Sequence, residues 1–180
     1  MPNLIDVVSA DLRHMTANWD ASRAQVLVRS IPRLALYPRF RAVVLFRVAQ
    51  AAHRHRTWRW LAIWFQGRAL RASGAELHPA ATIGPGLALI HSSGIVVGHE
   101  VTAGRDLVLY QGVTLGHNGR STGQPHLGDR VRVGAGAKVL GPVVIGNDVW
   151  LGANSVVRGD VPDGAVVTGV WPVPRQDRST

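Results

Sequence analysis

From residue 77 onward, aliphatic side chains return every six residues, at Leu77, Ile83, Leu89, Ile95, Val101, Leu107 and Val113, and again at Leu127, Val133, Val139, Ile145, Leu151 and Val157. A run this long at one spacing is not an accident of composition. It predicts a hexapeptide array in which each hexad supplies one short strand and one turn. The aliphatic residue points inward, a glycine or small residue lets the backbone turn, and stacked coils bury a continuous core. Three hexads make a coil of about 18 residues, so the array predicts about four coils of a slender triangular prism.

Before residue 74 the pattern is different. The stretch RAVVLFRVAQAAHRHRTWRWLAIWFQGRALRA sets apolar residues and arginines at roughly helical spacing, with little glycine or proline. The chain therefore divides into an α-helical region over 1–73, a repeat domain over 74–170 and a short tail over 171–180. The hexad register breaks once. Val113 and Leu127 lie 14 residues apart, which implies an eight-residue insertion, so the loop 116–126 leaves the coil. Its glycine, serine, asparagine and proline suit a surface excursion, and loops on rigid scaffolds tend to carry function.

Composition narrows the function classes. The 180 residues include no cysteine, which excludes disulfides, thiolate metal sites and a cysteine nucleophile. The start of the sequence lacks the basic and apolar regions of a signal peptide, and no apolar run reaches the roughly 20 residues of a spanning helix, so a cytoplasmic protein is expected. The net charge of +9 is unevenly spread: residues 1–76 hold 12 of the 20 basic and 4 of the 11 acidic side chains. No basic-aromatic motif or recognition helix accompanies it, and nucleic-acid binding is not expected. The segment WRWLAIWFQGR combines tryptophan and arginine as a membrane interface does. Tryptophans at helical spacing more often pack on a neighbouring helix or on the prism end, so membrane contact is not expected. His78, His91, His99, His117 and His126 could in principle bind a metal between subunits, but their spacing supports no metal site.

The string ELHPAATIGPGLALIHSSGIVVG, followed in order by GVTLG, the inserted loop, GAGAKVLG and GANSVV, resembles the serine acetyltransferase branch of the hexapeptide acyltransferases. The resemblance covers residues 74–170 and, more weakly, the helices before them. It implies a left-handed parallel β-helix, a homotrimer with active sites between neighbouring subunits, acetyl-CoA as donor and a small hydroxylated acceptor.

The resemblance also assigns residues. It places the general base on His91, and imidazole chemistry agrees, because an alcohol is a poor nucleophile and the ring titrates near working pH. Glu76 stands where the family has the aspartate that orients this base. Gln111, Gly112 and Gly116 are candidate backbone donors to an oxyanion. Gly116, Ala135 and Ala153 are expected along the coenzyme arm, with Lys138 and Arg158 near its phosphates. The acceptor pocket departs from the family. Ile90 replaces the aspartate before the base, and Gly123 and Gln124 replace an arginine and histidine before Pro125. His117 stands in place of a glycine, and His126 lies two residues after the expected histidine. The ending VWPVPRQDRST lacks the extension by which serine acetyltransferases engage cysteine synthase, so that complex is not expected. Serine remains the leading acceptor; a sugar or natural-product intermediate is the alternative, and a non-catalytic trimeric scaffold a remote one.

Overall fold

The computed structural model describes residues 3–171. The expectation drawn from the chain's ending therefore lies outside the described residues. Four helices come first: α1 (Leu4–Thr16), α2 (Arg23–Leu36), α3 (Pro38–His53) and, after a single 3₁₀ turn, α4 (Arg59–Ser73). Their starts are written in the sequence. Asn3 caps α1 by accepting from the Ile5 N–H at 3.2 Å. Ser22 and Gln25 form a reciprocal capping box on α2, and Pro38 opens α3. Buried alanines on α3 and α4, among them Ala42, Ala49, Ala62 and Ala69, let these two helices approach closely.

The helices lead into a parallel β-helix. Its strands stack in three sheets, one of six, one of five and one of four strands. The first sheet is formed by Glu76–Leu77, Val96–Val97, Thr114–Gly116, Lys138–Leu140, Val156–Val157 and Val170–Trp171. Each strand turns one residue inward and one outward, and the inward residues form one continuous core with Phe46 of α3. Many of the corners are turned with residues in the left-handed region, such as Gly94, Gly112 and Gly136 stacked above one another at φ near 70°. At Gly112 a Cβ would meet the Gly136 backbone only at an ordinary 3.5 Å, so it is the positive φ of 69° that favours glycine there.

The register differs from the sequence expectation in two places. Leu77 pairs with Val97, twenty residues on, whereas Val97 pairs with Leu115, eighteen on. The first coil thus carries two extra residues, and they fall between Ala88–Leu89 and Val96–Val97, the segment that contains His91. Ile95, Val101, Leu107 and Val113 are buried, but they sit two residues before the strand positions that continue Leu77, Ile83 and Leu89. Corrected for this shift, the inserted loop runs from Leu115 to Leu127 and adds six residues, not eight. The prism also has about five turns rather than four, because short coils continue after Val157, through Val161, Val167 and Val170–Trp171.

A buried ion pair fixes the helices to the first coil. Asp11 of α1 and Arg47 of α3 are 0% and 1% exposed, and Arg47 Nε donates to Asp11 at 2.7 Å. Asp11 also accepts from the N–H groups of Gly86 and Leu87, each at 2.8 Å. Arg47 donates further to the carbonyls of Ile83 and Gly84, each at 2.7 Å, to Gln50 and a second time to Asp11. All five guanidinium N–H groups are thereby used, which is the condition under which a charge can be taken out of water.

Candidate active site

The two-residue excursion in the first coil puts His91 at a corner of the prism, exposed, rather than in the core. An open cavity of about 330 Å³ lies beside it, lined by Ile90, His91, Ser92 and Ser93 from the coil and by Tyr37, Pro38 and Arg39 from the start of α3. Arg39 Nη1 donates to the Ile90 carbonyl at 2.7 Å, and its guanidinium lies over the rings of Phe40 and Tyr37, at 5.4 and 5.9 Å from their centres. Sequence reasoning missed Tyr37 and Arg39. The signal available was the Tyr-Pro-Arg turn that starts α3, but only folding reveals which coil it faces.

The other candidates lie elsewhere within the single chain. Glu76 is exposed, and no hydrogen bond or ion pair joins it to His91 among the described residues. Its charge acts on His78, the middle ring of a stack in which His53 and His99 lie 6.2 and 5.6 Å away. Partial burial and the two neighbouring imidazoles hold His78 below the ordinary histidine range, against the weaker upward pull of Glu76. The His78 Nδ1 accepts from the Ala80 N–H at 3.1 Å.

Gly116 ends a strand of the first sheet and its carbonyl accepts from Gly141 at 2.8 Å. Lys138, one coil further along, is half-buried, with Nζ donating to Gly112 O at 2.5 Å and Thr114 Oγ1 at 3.0 Å. The Gly112 N–H is already given to Ser93 O at 2.9 Å, so it is not a free oxyanion donor. Ala135 accepts from the Asn154 N–H at 2.8 Å, while Ala153 and Arg158 are exposed. In the loop, His117 Nδ1 accepts from the Gly119 N–H at 2.8 Å. Gln124 is buried, with Nε2 3.1 Å from His99 Nδ1 and Oε1 accepting from the Glu100 N–H at 3.4 Å. His126 points outward and pairs with Thr102 Oγ1 at 2.7 Å. Of the sequence candidates, only Ile90 shares the cavity with His91.

Comparison with known proteins agrees with this architecture. The family model described as bacterial transferase hexapeptide (six repeats) matches residues 124–159. A soybean serine acetyltransferase solved with serine is 34% identical, with a TM-score of 0.77, covering 93% of this chain and 68% of that one. The chain belongs to the serine acetyltransferase family. A Brucella abortus serine acetyltransferase solved with coenzyme A is 30% identical at a TM-score of 0.80, covering 92% of this chain and 65% of that one. The serine acetyltransferase of Helicobacter pylori is 44% identical over 82 residues, which span 43% of this chain and 44% of that protein. In this member of the serine acetyltransferase family, the start of α3 lies against the first coil at His91. Ile90 lines the cavity and gives its carbonyl to Arg39, whereas Gln124 is buried away from the cavity against His99 and the Glu100 N–H.

Proposed function

We propose that the protein is an acetyl-CoA-dependent O-acetyltransferase whose acceptor is the hydroxyl of L-serine. The observation that carries this reading is the placement of His91. A two-residue shift of an otherwise regular coil holds an exposed imidazole beside a cavity walled by a second element. A merely structural histidine needs no such shift.

In the reaction proposed, the His91 imidazole takes the hydroxyl proton as the acceptor oxygen attacks the thioester carbonyl. The tetrahedral intermediate collapses with cleavage of the C–S bond, and the imidazolium returns the proton to the departing thiolate. No acetyl-enzyme is required, and the chain has no cysteine to carry one. Glu76 is proposed to orient His91 once the subunits assemble. Arg39 is the cation that lines the cavity and is on hand for the serine carboxylate.

A homotrimer completes the reading. The outward strand positions include Val144, Trp150, Val166 and Val170, all more than half exposed, and such apolar faces call for cover by further copies. A neighbouring subunit would bring His117, Gly116, Ala135, Ala153, Lys138 and Arg158 toward the cavity, where acetyl-CoA would lie. Thiol release from acetyl-CoA with and without L-serine tests the function. Release that depends on serine and disappears in His91→Ala supports it; release with no acceptor dependence contradicts it.

A further inference from the structure

The outer side of α4 is apolar where a helix facing water is ordinarily polar. Trp60, Ile63 and Trp64 are 68%, 66% and 51% exposed, and Trp58, in the turn before them, 57%. The buried side of the same helix carries Ala62, Ala69 and Ser73. Small residues face in and large ones face out, the reverse of the usual arrangement. Among the described residues nothing covers these tryptophans to more than about half, so the packing on a neighbouring helix or on the prism end expected from sequence is at most partial. Beside Trp58 an apolar cavity of about 400 Å³, lined by Leu4, Val48, Ala51, Leu61 and Phe65 among others, extends the same surface.

Charge selects the occupant. Arg59, Arg68 and Arg71 flank the apolar stripe on α4, and Arg54 and Arg56 precede it; all five are exposed. Between Asp20 and Glu76 the sequence has no acidic residue. Arg68 lies over the Trp64 ring, 5.6 Å from its centre. A second copy fits poorly, because an isologous contact lays the patch on itself and brings two sets of arginines together without a carboxylate. Tryptophan rings settle at lipid headgroup level, and arginines reach from an apolar stripe to phosphates.

We propose that α4 and the turn before it dock the protein on an anionic phospholipid surface. Trp58, Trp60, Ile63 and Trp64 enter the boundary between headgroups and acyl chains, and the flanking arginines meet lipid phosphates. The contact is peripheral: among the described residues no helix is long and apolar enough to cross a membrane.

The test is flotation of the full chain with two sets of vesicles, one of phosphatidylcholine alone and one with about a third phosphatidylglycerol. The protein is expected to float with the anionic vesicles only, with a blue shift of tryptophan emission, and to be released by high salt. Trp60→Ser with Trp64→Ser is expected to abolish flotation while circular dichroism and the sedimentation coefficient without lipid stay unchanged. Replacing Arg59, Arg68 and Arg71 by glutamine is expected to lower partition roughly 100-fold, at about fivefold per basic residue. Failure to float with anionic vesicles overturns the proposal, as does flotation unaffected by the tryptophan changes. A fall in the sedimentation coefficient of the tryptophan variant without lipid overturns it too, since another copy would then cover this face.

Discussion

Arg39 holds the carbonyl of Ile90 at 2.7 Å, and Ile90 is the residue immediately before His91. Through this bond the start of α3 sets the backbone on which the proposed base stands. The same guanidinium walls the cavity. Arg39→Ala is therefore expected to lower kcat/KM for serine by roughly 10- to 100-fold, the worth of one charge-assisted hydrogen bond. Arg39→Lys keeps the charge and should recover part of it. Steady-state kinetics separates the effects: a lost carboxylate partner raises KM, and a misplaced base lowers kcat.

The Asp11–Arg47 pair is expected to dominate the attachment of the helices to the prism. In Asp11→Asn the guanidinium remains buried without its counter-charge, and the loss of stability should be about 3–5 kcal/mol. Denaturant unfolding measures it. A loss below about 1 kcal/mol would mean that water reaches the pair.

Stability should also respond to pH through His78. Its folded pKa lies below the ordinary histidine value, so the folded protein binds fewer protons than the unfolded chain between the two values. The stabilisation is complete above about pH 6.5 and is lost as pH falls through the folded value. Melting temperature is expected to drop between about pH 7 and pH 5, and the drop should be smaller in His78→Gln. Equal slopes in the two proteins would assign the dependence to other groups.

Deleting Ser92 and Ser93 would restore an even coil at the one place where the first coil is lengthened. The Gly112 N–H would lose its partner at Ser93 O, a modest cost of about 1–3 kcal/mol. The deletion variant is expected to keep the circular dichroism of the native protein and to lose thiol release, because His91 would be carried off the cavity. Retained activity would show that the shift does not position the base.

Much of this was legible in the sequence. The helical region, the hexad prism and the presence of an inserted loop follow from spacing, while His91 is singled out by the resemblance. What the spacing hid was the register shift at His91. Positions two apart on one coil both face the core, so Ile95 and Val97 are both aliphatic and buried, and a two-residue slip leaves the count of sixes intact. The extra turn was hidden for a related reason: after Val157 the coils shorten and Val161 arrives four residues on instead of six. Arg39 could not be chosen from among nineteen arginines, since only the docking of α3 onto the first coil singles it out. Gln124 read as an acceptor contact from its place before Pro125; the structure adds that its buried amide bonds the Glu100 N–H and the His99 ring, a use that no local pattern announces.

The most direct test is thiol release from acetyl-CoA with L-serine, followed with a chromogenic thiol reagent, in the native protein and in His91→Ala. The chain has no cysteine, so its own thiols give no background. The expected result is serine-dependent release that falls about 10²- to 10⁴-fold in the variant, with melting temperature and assembly unchanged. Serine-dependent release of equal rate in the two proteins would contradict His91 as the base.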